Sequence, residues 1–410
     1  MSSEAGPVFV WIWLPAATEP VVAGRLDPSG DRVAFTYGRS YLERDDAIAV
    51  FLPDLPLGPG PVYPAGELAG PIRDAGPDAW GRRVIEYGLG LDASAGGEAG
   101  VLDYLTRSGS DRIGALDFQA GATEYTPRAS PARLEDLLTA AGAVEAGQTL
   151  PAALDLALLH ASSVGGARPK ALLEDDGRHL IAKFSSNSDP YPVVKAEFVA
   201  IELARRVGLD VPGAELVSVL GKDVLLVERF DRPGGGRRRL MVSALTILGL
   251  EEMAGRYATY PALADAIRAR FSNPDRTLRE LFARIIFNIL VGNTDDHAKN
   301  HGAFWDGSVL TLTPAYDLTP QTRSGGEAAQ AMAIGRDGFR LAQVAGAVKC
   351  HDVYHLSAGE ARGLVEEQLS NINQAWEEVA EQARLTEVER GGLWHRQILN
   401  PFALEGYIPG

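Results

Sequence analysis

The chain has 410 residues, a hydrophobic share of 46%, a charged share of 23% and a formal net charge of -15 at pH 7. These values are typical of a globular protein of two or three packed units and argue against a disordered or fibrous one. The acidic balance argues against direct binding of nucleic acid. The single cysteine, Cys350, excludes an internal disulfide and a cysteine-based zinc site.

The first hundred residues predict short strands separated by turns. Val8–Leu14, Val21–Leu26 and Arg32–Tyr37 are strand-like, and Asp27-Pro28-Ser29-Gly30 is read as a turn. The run Val8–Leu14 lacks a preceding basic segment, so a first strand is the better interpretation than a signal peptide. No stretch approaches the ~20 apolar residues of a membrane span, and the expected location is therefore the cytoplasm, without membrane contact.

The middle of the chain alternates between predicted helices and hairpins. A short helix is expected near Pro77–Tyr87, a longer one over Pro131–Ala143, and a helical turn over Asp155–His160. The first predicted hairpin pairs Lys170–Glu174 with His179–Phe184, and the second pairs Ala214–Val219 with Asp223–Arg229. Between the two hairpins, Val194–Val207 is predicted to be an amphipathic helix.

The rest of the chain is predicted to be mostly helical, with one hairpin over Gly302–Thr313. A strand-rich half followed by a helix-rich half predicts an α+β protein. We expect a two-lobed, protein-kinase-like fold with an extra N-terminal β-rich subdomain at residues 1–110. The nucleotide lobe would occupy residues 111–232 and a mostly helical lobe residues 233–410. This order of elements also suits many other α+β proteins, so the motifs must decide.

The strongest motif is Asn293-Thr294-Asp295-Asp296-His297-Ala298-Lys299-Asn300, which follows an apolar helix and precedes a hairpin that ends at Tyr316-Asp317. Phosphoryl transfer needs a carboxylate to accept or orient the alcohol proton and oxygen ligands for Mg²⁺. Asp295, Asn300 and Asp317 supply these groups. The alternative is that Asp and Asn are only turn residues.

A second motif is Ser162-Ser163-Val164-Gly165-Gly166-Ala167, followed by Lys170 and Lys183. Small residues let backbone N–H groups approach phosphate oxygens, and a lysine on the next strand can pair with phosphates. The sequence lacks the GxxxxGK[ST] pattern, which disfavours a P-loop NTPase. A lysine that ends an apolar strand is otherwise an edge residue unless a carboxylate such as Glu197 faces it.

Together these stretches resemble the HipA-like family of serine/threonine kinases, the toxin halves of bacterial toxin–antitoxin pairs. The matching stretches are Ser163–Lys170, Val227-Glu228-Arg229-Phe230-Asp231-Arg232, Asn293–Asn300, Tyr316-Asp317 and Pro77-Asp78-Ala79-Trp80-Gly81-Arg82. The resemblance implies an ATP- and Mg²⁺-dependent protein kinase with a helix-turn-helix antitoxin as partner. It implies contact with nucleic acid only through that antitoxin. The family's protein substrates include aminoacyl-tRNA synthetases.

The resemblance also implies roles for individual residues. Asp295 would be the catalytic base with His297 beside it, and Asn300 and Asp317 would hold Mg²⁺. Ser163 would be an autophosphorylation site that switches the kinase off. The ATP contacts would come from Ser163, Val164, Gly165, Gly166, Ala167, Lys170, Lys183, Glu228, Phe230 and Asp231.

Two other functions remain open from the sequence: a small-molecule kinase of related architecture and a catalytically silent co-repressor module. Other histidines, including His301 and His355, lack metal-ligand spacing and are read as surface or core residues. Trp80 is expected in the core, and the basic run Arg237-Arg238-Arg239 is read as a solvated loop.

Overall fold

The computed structural model describes residues 6–91, 99–128, 132–148, 161–163, 166, 168–186, 189–323 and 326–408. The predicted turn at Asp155–His160 lies outside these residues, as do Val164, Gly165 and Ala167 of the glycine-rich motif.

The chain divides into two compact units. Unit 1 comprises Met1–Asn187, Val217–Val242 and Phe304–Ser308, and unit 2 comprises Ser188–Leu216, Ser243–Ala303 and Val309–Gly410. The three-part division at residues 110 and 232 stays a prediction.

Unit 1 begins with a five-stranded antiparallel sheet. Its strands are β1 Val8–Ile12, β2 Val21–Ser29, β3 Arg32–Tyr37, β4 Pro61–Val62 and β5 Leu116–Gln119, in the spatial order β4-β3-β2-β1-β5. The predicted turn at Asp27–Gly30 is wrong, since β2 continues through Ser29 and Pro28 pairs with Val33. The chain reverses instead at Gly30, whose φ of 65° is the left-handed conformation that favours glycine.

In the described part of unit 1, the helices that precede the second sheet along the chain are α1 Arg39–Leu42, α2 Gly70–Asp74, α3 Ala79–Gly88, α4 Val101–Arg107 and α5 Leu134–Ala146. The second sheet has the order β6-β7-β9-β8, with strands β6 Lys170–Asp175, β7 Arg178–Phe184, β8 Ala214–Val219 and β9 Lys222–Glu228.

The two faces of the second sheet have different surroundings. Leu180, Ala182 and Phe184 alternate along β7 and join the same apolar core as Trp80 of α3 and Leu137 of α5. Because side chains alternate across a strand, the residues between them face the other way. The expectation that Trp80 is a core residue is confirmed, since it is 1% exposed.

Unit 2 is mainly helical, and the helix Pro274–Val291, labelled α9 below, is mostly buried. Leu278, Leu281, Ile285 and Ile289 are fully buried along one side of this helix, at the spacing of an α-helical face. The helices are α6 Val193–Arg206, α7 Ala244–Ile247, α8 Tyr260–Arg270, α9 Pro274–Val291, α10 Val344–Lys349, α11 Ala358–Gln382, α12 Glu387–Leu393 and α13 Pro401–Leu404. Short 3-10 turns of unit 2 occur at Glu252–Tyr257, Ala298–Asn300 and His351–Tyr354. Three further short strands are β10 Met241–Ser243, β11 Gly302–Trp305 and β12 Leu310–Leu312, of which Met241, Val242, Phe304 and Trp305 belong to unit 1.

Helix α9 packs against α8, α10 and α11 and delivers its last residue to the loop that carries Asp295. The predicted hairpin over Gly302–Thr313 is confirmed by β11 and β12, with Thr313 N donating to the Gly302 carbonyl at 3.0 Å. Across the described ranges, none of the helices combines the length and the apolar character that a membrane crossing requires.

Candidate active site

The Asp295 loop starts at a sharp exit from helix α9. Gly292 follows the helix with φ 74°, and a Cβ atom there would lie 2.6 Å from the Gln397 carbonyl oxygen. Only glycine accommodates both the left-handed conformation and this close approach. The helix therefore ends at Val291, and the next residues turn away as an irregular loop.

Hydrogen bonds within the loop fix Asp295 relative to Asn300. Asn300 Nδ2 donates to the Asp295 carbonyl oxygen at 3.2 Å, and His297 N donates to the same oxygen at 2.9 Å. Asn300 is 7% exposed, whereas Asp295 and His297 are exposed. Because the amide nitrogen of Asn300 is turned inward to the loop, its Oδ1 atom stays available as an acceptor or a metal ligand.

A second connection brings Asp317 to the same loop. Tyr316 OH donates to the Lys299 carbonyl oxygen at 2.7 Å, so the residue before Asp317 is held against the residue before Asn300. Asp317 has φ 59°, the left-handed conformation that aspartate adopts at a cost. Such strain persists where the surroundings hold the residue in place, and it is typical of functional positions.

The pKa of Asp295 is shifted by its surroundings in the loop. Burial raises the pKa of Asp295; the neighbouring His297 lowers it, and the carboxylates of Asp317 and Asp296 raise it further, so that the net shift is upward. This influence agrees with the Tyr316–Lys299 hydrogen bond, which brings Asp317 to the loop that carries Asp295. Asp295, His297, Asn300 and Asp317 are thus brought together within unit 2.

The chemistry of this set fits Mg²⁺ better than a transition metal. In the part of the chain that the structure describes, no group of three or more His, Cys, Asp and Glu side chains could hold a metal ion. Mg²⁺ is commonly held by one or two protein oxygen ligands together with water and substrate phosphates. Asn300 and Asp317 supply such a pair.

Beside the exposed residues lies a buried network that the sequence did not predict. Asp296 is 2% exposed, and its Oδ2 accepts from Asn288 Nδ2 at 2.8 Å and lies 2.9 Å from His301 Nε2. Tyr260 OH also donates to this oxygen. Burial raises the pKa of Asp296, but His301 and the hydrogen bonds from His301 and Tyr260 outweigh that effect and hold the pKa below its ordinary value. An ionised carboxylate with three partners anchors the loop from inside.

The lysines of unit 1 lie side by side on the second sheet. Lys170 of β6 pairs directly with Lys183 of β7, and both project from the face opposite the Trp80 core. Lys170 is buried and Lys183 is half-buried. Two adjacent ammonium groups on one sheet face suit an anionic ligand. Pairing of Lys183 with Glu197 stays a prediction, while Glu202 instead accepts from Arg205 and Arg206 of its own helix.

Ser163 and Gly166 of the glycine-rich motif are among the residues that the structure describes. Ser163 is 2% exposed, and its Oγ donates to the Asp111 carbonyl oxygen at 3.5 Å. Gly166 has φ 96°, and a Cβ atom there would lie 2.3 Å from Lys170 Nζ. The Lys170 ammonium group therefore lies against the Gly166 backbone, which glycine alone permits.

Glu228, Phe230 and Asp231, which the sequence predicts to contact ATP at the hinge between the two lobes, differ in what their side chains do. Glu228 is exposed at the end of β9, and the half-buried ring of Phe230 meets Phe304 edge-on at 5.9 Å. The Asp231 carboxylate is 2% exposed and accepts from Arg229 Nη2 at 2.8 Å, Arg232 Nη1 at 2.7 Å and the Gly114 amide at 2.7 Å. Its side chain therefore binds groups of the protein itself, and the contact of Asp231 with ATP stays a prediction.

The basic run after the hinge is only partly solvated. Arg237 is exposed, but the Arg238 guanidinium lies 3.6 Å from the centre of the Trp13 ring and that of Arg239 lies 3.3 Å from the Phe304 ring. Arg238 also donates to the Ser110 carbonyl oxygen at 2.9 Å. The prediction of a solvated loop is correct for Arg237 and Arg239, which are exposed, and wrong for Arg238, which is half-buried and stacks on an aromatic ring.

The fold and this set of side chains define a protein of the kinase-like class. Two family models match the chain, the HipA N-terminal domain over residues 14–119 and the HipA-like C-terminal domain over residues 162–376. The second match covers more than half of the sequence, and the chain belongs to the HipA family. The resemblance expected from the motifs is thereby confirmed.

Several characterised proteins are similar to this chain. The serine/threonine-protein kinase toxin HipA of Shewanella oneidensis is 29% identical over 183 residues, 38% of this chain and 42% of that protein. Toxin YjjJ of Escherichia coli is 25% identical over 267 residues, 59% of this chain and 56% of that protein. The chain thus spans about half the length of these two relatives.

One solved structure extends the likeness over nearly the whole chain. It is the Shewanella oneidensis HipA toxin in complex with HipB and operator DNA, with a TM-score of 0.68 at 21% identity, covering 92% of this chain and 93% of that one. This likeness confirms the predicted α+β, kinase-like fold.

Proposed function

We propose that this chain is an ATP- and Mg²⁺-dependent kinase that phosphorylates serine or threonine in a protein. The observation that carries the proposal is the pair of hydrogen bonds that tie Asn300 to the Asp295 carbonyl oxygen and Tyr316, next to Asp317, to the Lys299 carbonyl oxygen. A proton acceptor and two oxygen ligands in one place are what phosphoryl transfer requires of a protein.

Each member of this set has a distinct task. Asp295 accepts the proton of the attacking hydroxyl group at its carboxylate, and its raised pKa makes it a better base than an ordinary aspartate. Asn300 Oδ1 and the Asp317 carboxylate would hold Mg²⁺. Bound ATP would supply the γ-phosphoryl group. His297 lies beside the base and moderates its pKa.

In unit 1 we assign phosphate contacts to Lys183 and Lys170, because two lysines on one sheet face suit phosphate oxygens, and the family resemblance adds Gly166 to this set. The family resemblance gives the same task to Ser163, Val164, Gly165 and Ala167. Glu228 and Phe230 would meet adenine through their backbone. Asp231 receives a positioning role here, since its carboxylate holds Arg229 and Arg232.

Regulation by phosphorylation of Ser163 is part of the proposal. A phosphate group adds about -1.5 to -2 charges at neutral pH. Since Ser163 is 2% exposed, a phosphate on its Oγ cannot occupy the present position without displacing the segment. The modified segment would leave its place and compete with ATP for the same donors, which switches the kinase off.

The partners are proposed from the family. A helix-turn-helix antitoxin would bind the chain and connect it indirectly to operator DNA, as the HipA–HipB–DNA complex of Shewanella oneidensis suggests. Among protein substrates, aminoacyl-tRNA synthetases are the class that the family resemblance names. The cytoplasm is the proposed location.

Mass spectrometry of purified protein incubated with Mg-ATP tests the proposal. We expect phosphate on Ser163 in the wild type and none in Ser163→Ala or Asp295→Asn. ATP turnover without any phosphorylated residue would favour a small-molecule kinase. Failure of the wild type to bind Mg-ATP would favour a silent co-repressor. Phosphorylated protein that binds ATP as tightly as Ser163→Ala would refute the Ser163 switch.

A further inference from the structure

The start of helix α3 contacts the glycine-rich segment. The proposed phosphoryl transfer assigns no task to these contacts. Asp78, Trp80 and Gly81 all lie at the start of this helix, and each contacts the backbone of Ser162, Gly166 or Lys170 within unit 1. The partners are about 80 to 90 residues away in the sequence, the separation between Asp78 and Gly166 being 88.

Asp78 and Trp80 hold both polar groups of the Gly166 backbone. Asp78 stands at the N-terminal cap of α3, where aspartate ordinarily accepts from the helix amides, yet it makes no such bond. Its Oδ2 instead accepts from the Gly166 amide at 2.9 Å, and the Trp80 amide donates to the Gly166 carbonyl oxygen at 3.1 Å. A carboxylate used in this way serves the segment and not its own helix.

The Trp80 side chain extends the contact to Lys170. Its indole Nε1 donates to the Lys170 carbonyl oxygen at 2.9 Å, while the ring lies in the core with Val84 and Leu180. A ring that is 1% exposed has little freedom, so the Lys170 backbone is fixed to the core. The Lys170 ammonium group then lies against Gly166.

Gly81 completes the arrangement by leaving room. A Cβ atom on Gly81 would lie 2.5 Å from the Ser162 carbonyl oxygen, a distance at which backbone must move. Ser162 Oγ accepts from the Gly109 amide at 3.1 Å, and the adjacent Ser163 is 2% exposed. Helix α3 therefore packs against the backbone of Ser162, the residue before the buried Ser163.

We propose that Asp78, Trp80 and Gly81 form a clamp that holds the Gly166 backbone, positions Lys170 for nucleotide phosphates and keeps Ser163 buried. The inference rests on the proposed function and adds positioning residues to it. Loss of the clamp weakens ATP binding and at the same time exposes residue 163. A merely structural role of the three residues would not link these two effects.

Two measurements on folded protein test the clamp with a matched control. Trp305→Phe is the control for Trp80→Phe, because the Trp305 indole is 5% exposed, lies in unit 1 and donates to the Ala49 carbonyl oxygen at the same 2.9 Å. Asp78→Ala removes the acceptor for Gly166, and Asp78→Asn restores a neutral one. Asp78 is less buried than Trp80, so its variants disturb the core less.

The first measurement is the Kd for Mg-ATP by calorimetry. We expect Trp80→Phe and Asp78→Ala to bind roughly tenfold more weakly, the effect of one hydrogen bond lost. Asp78→Asn should recover most of the affinity, and Trp305→Phe should stay within about twofold of the wild type.

The second measurement is the rate of thiol labelling in a Ser163→Cys, Cys350→Ser background, which needs neither ATP nor catalysis. We expect slow labelling with the clamp intact and with Trp305→Phe, and faster labelling with Trp80→Phe and Asp78→Ala. Equal labelling rates in all variants, or equal changes in Trp80→Phe and Trp305→Phe, would overturn the clamp. A wild type that does not bind Mg-ATP would refute the kinase proposal, while the labelling result would still decide whether the clamp exists.

Discussion

The His301 imidazole and the Asp296 carboxylate face each other in the interior of unit 2, with Nε2 and Oδ2 2.9 Å apart. Both side chains are 3% exposed. Asp296 follows Asp295 directly in the chain, but its side chain is buried. There Tyr260 OH and Asn288 Nδ2 also donate to the Asp296 carboxylate. Asp296 thus anchors the loop, whereas Asp295 is exposed and is the proposed catalytic base.

This network predicts a stability that depends on pH. The pKa of Asp296 is lower in the folded chain than in the unfolded one, so the unfolded state binds more protons as the pH falls. The contribution of Asp296 is therefore fully present above the ordinary aspartate pKa of about 3.9 and is lost as the pH falls through the lower folded value.

Tyr260→Phe tests the network by removing one donor to the buried charge. We expect a loss of about 2 kcal/mol in the free energy of unfolding at pH 7, as for a hydrogen bond to a charged group. Tyr354→Phe is the control, since Tyr354 is equally buried but donates to the neutral Ile334 carbonyl oxygen at 2.8 Å. Urea unfolding should show a larger loss for Tyr260→Phe; an equal loss would contradict an ionised Asp296.

The sequence could predict those parts of the site whose residues are close together along the chain. The spacing from Asp295 to Asn300 and the hairpin that returns Asp317 are local patterns, and they indicated which residues meet. Their chemical roles stay predictions. The bond from Tyr260 to Asp296 spans 36 residues and carries no local signature, and the engagement of Asp231 by Gly114 spans 117. Such contacts depend on packing.

His301 is another residue whose partner could not be predicted from the sequence. Reading His301 as a core or surface residue agrees with its 3% exposure, but the pattern gave no sign of its partner. An Asp-x4-His spacing, as between Asp296 and His301, could have suggested that the two side chains meet. In a loop, however, that spacing fixes no common face, unlike in a helix.

The backbone of Asp317 predicts a difference between two inactive variants. Asp317→Gly and Asp317→Ala both remove the carboxylate, and both should lose phosphoryl transfer. At φ 59°, alanine is strained and glycine is not, so Asp317→Ala should be less stable than Asp317→Gly by about 1 kcal/mol. Thermal unfolding of the two variants measures the difference. Equal stability would show that the left-handed conformation is not retained in solution.

The electrostatics of Asp295 predict a shift in the pH–rate profile. A general base works only when deprotonated, so kcat/KM falls as the pH drops through its pKa. His297 lowers the pKa of Asp295, and His297→Gln should therefore raise that pKa and move the acidic limb to higher pH. His355→Gln serves as the control, because His355 is exposed beside Asp275, 3.3 Å away. A limb that stays in place in His297→Gln, or moves equally in both variants, would count against Asp295 as the base.

The most direct measurement is the rate of γ-phosphoryl transfer from ATP by Asp295→Asn in a single turnover. Removing the carboxylate should cost several kcal/mol of transition-state stabilisation, so we expect a fall of orders of magnitude with folding and ATP binding intact. Asp275→Asn, which removes an exposed carboxylate from the same unit, should transfer phosphate at the wild-type rate. Undiminished transfer by Asp295→Asn would contradict the assignment of Asp295 as the catalytic base.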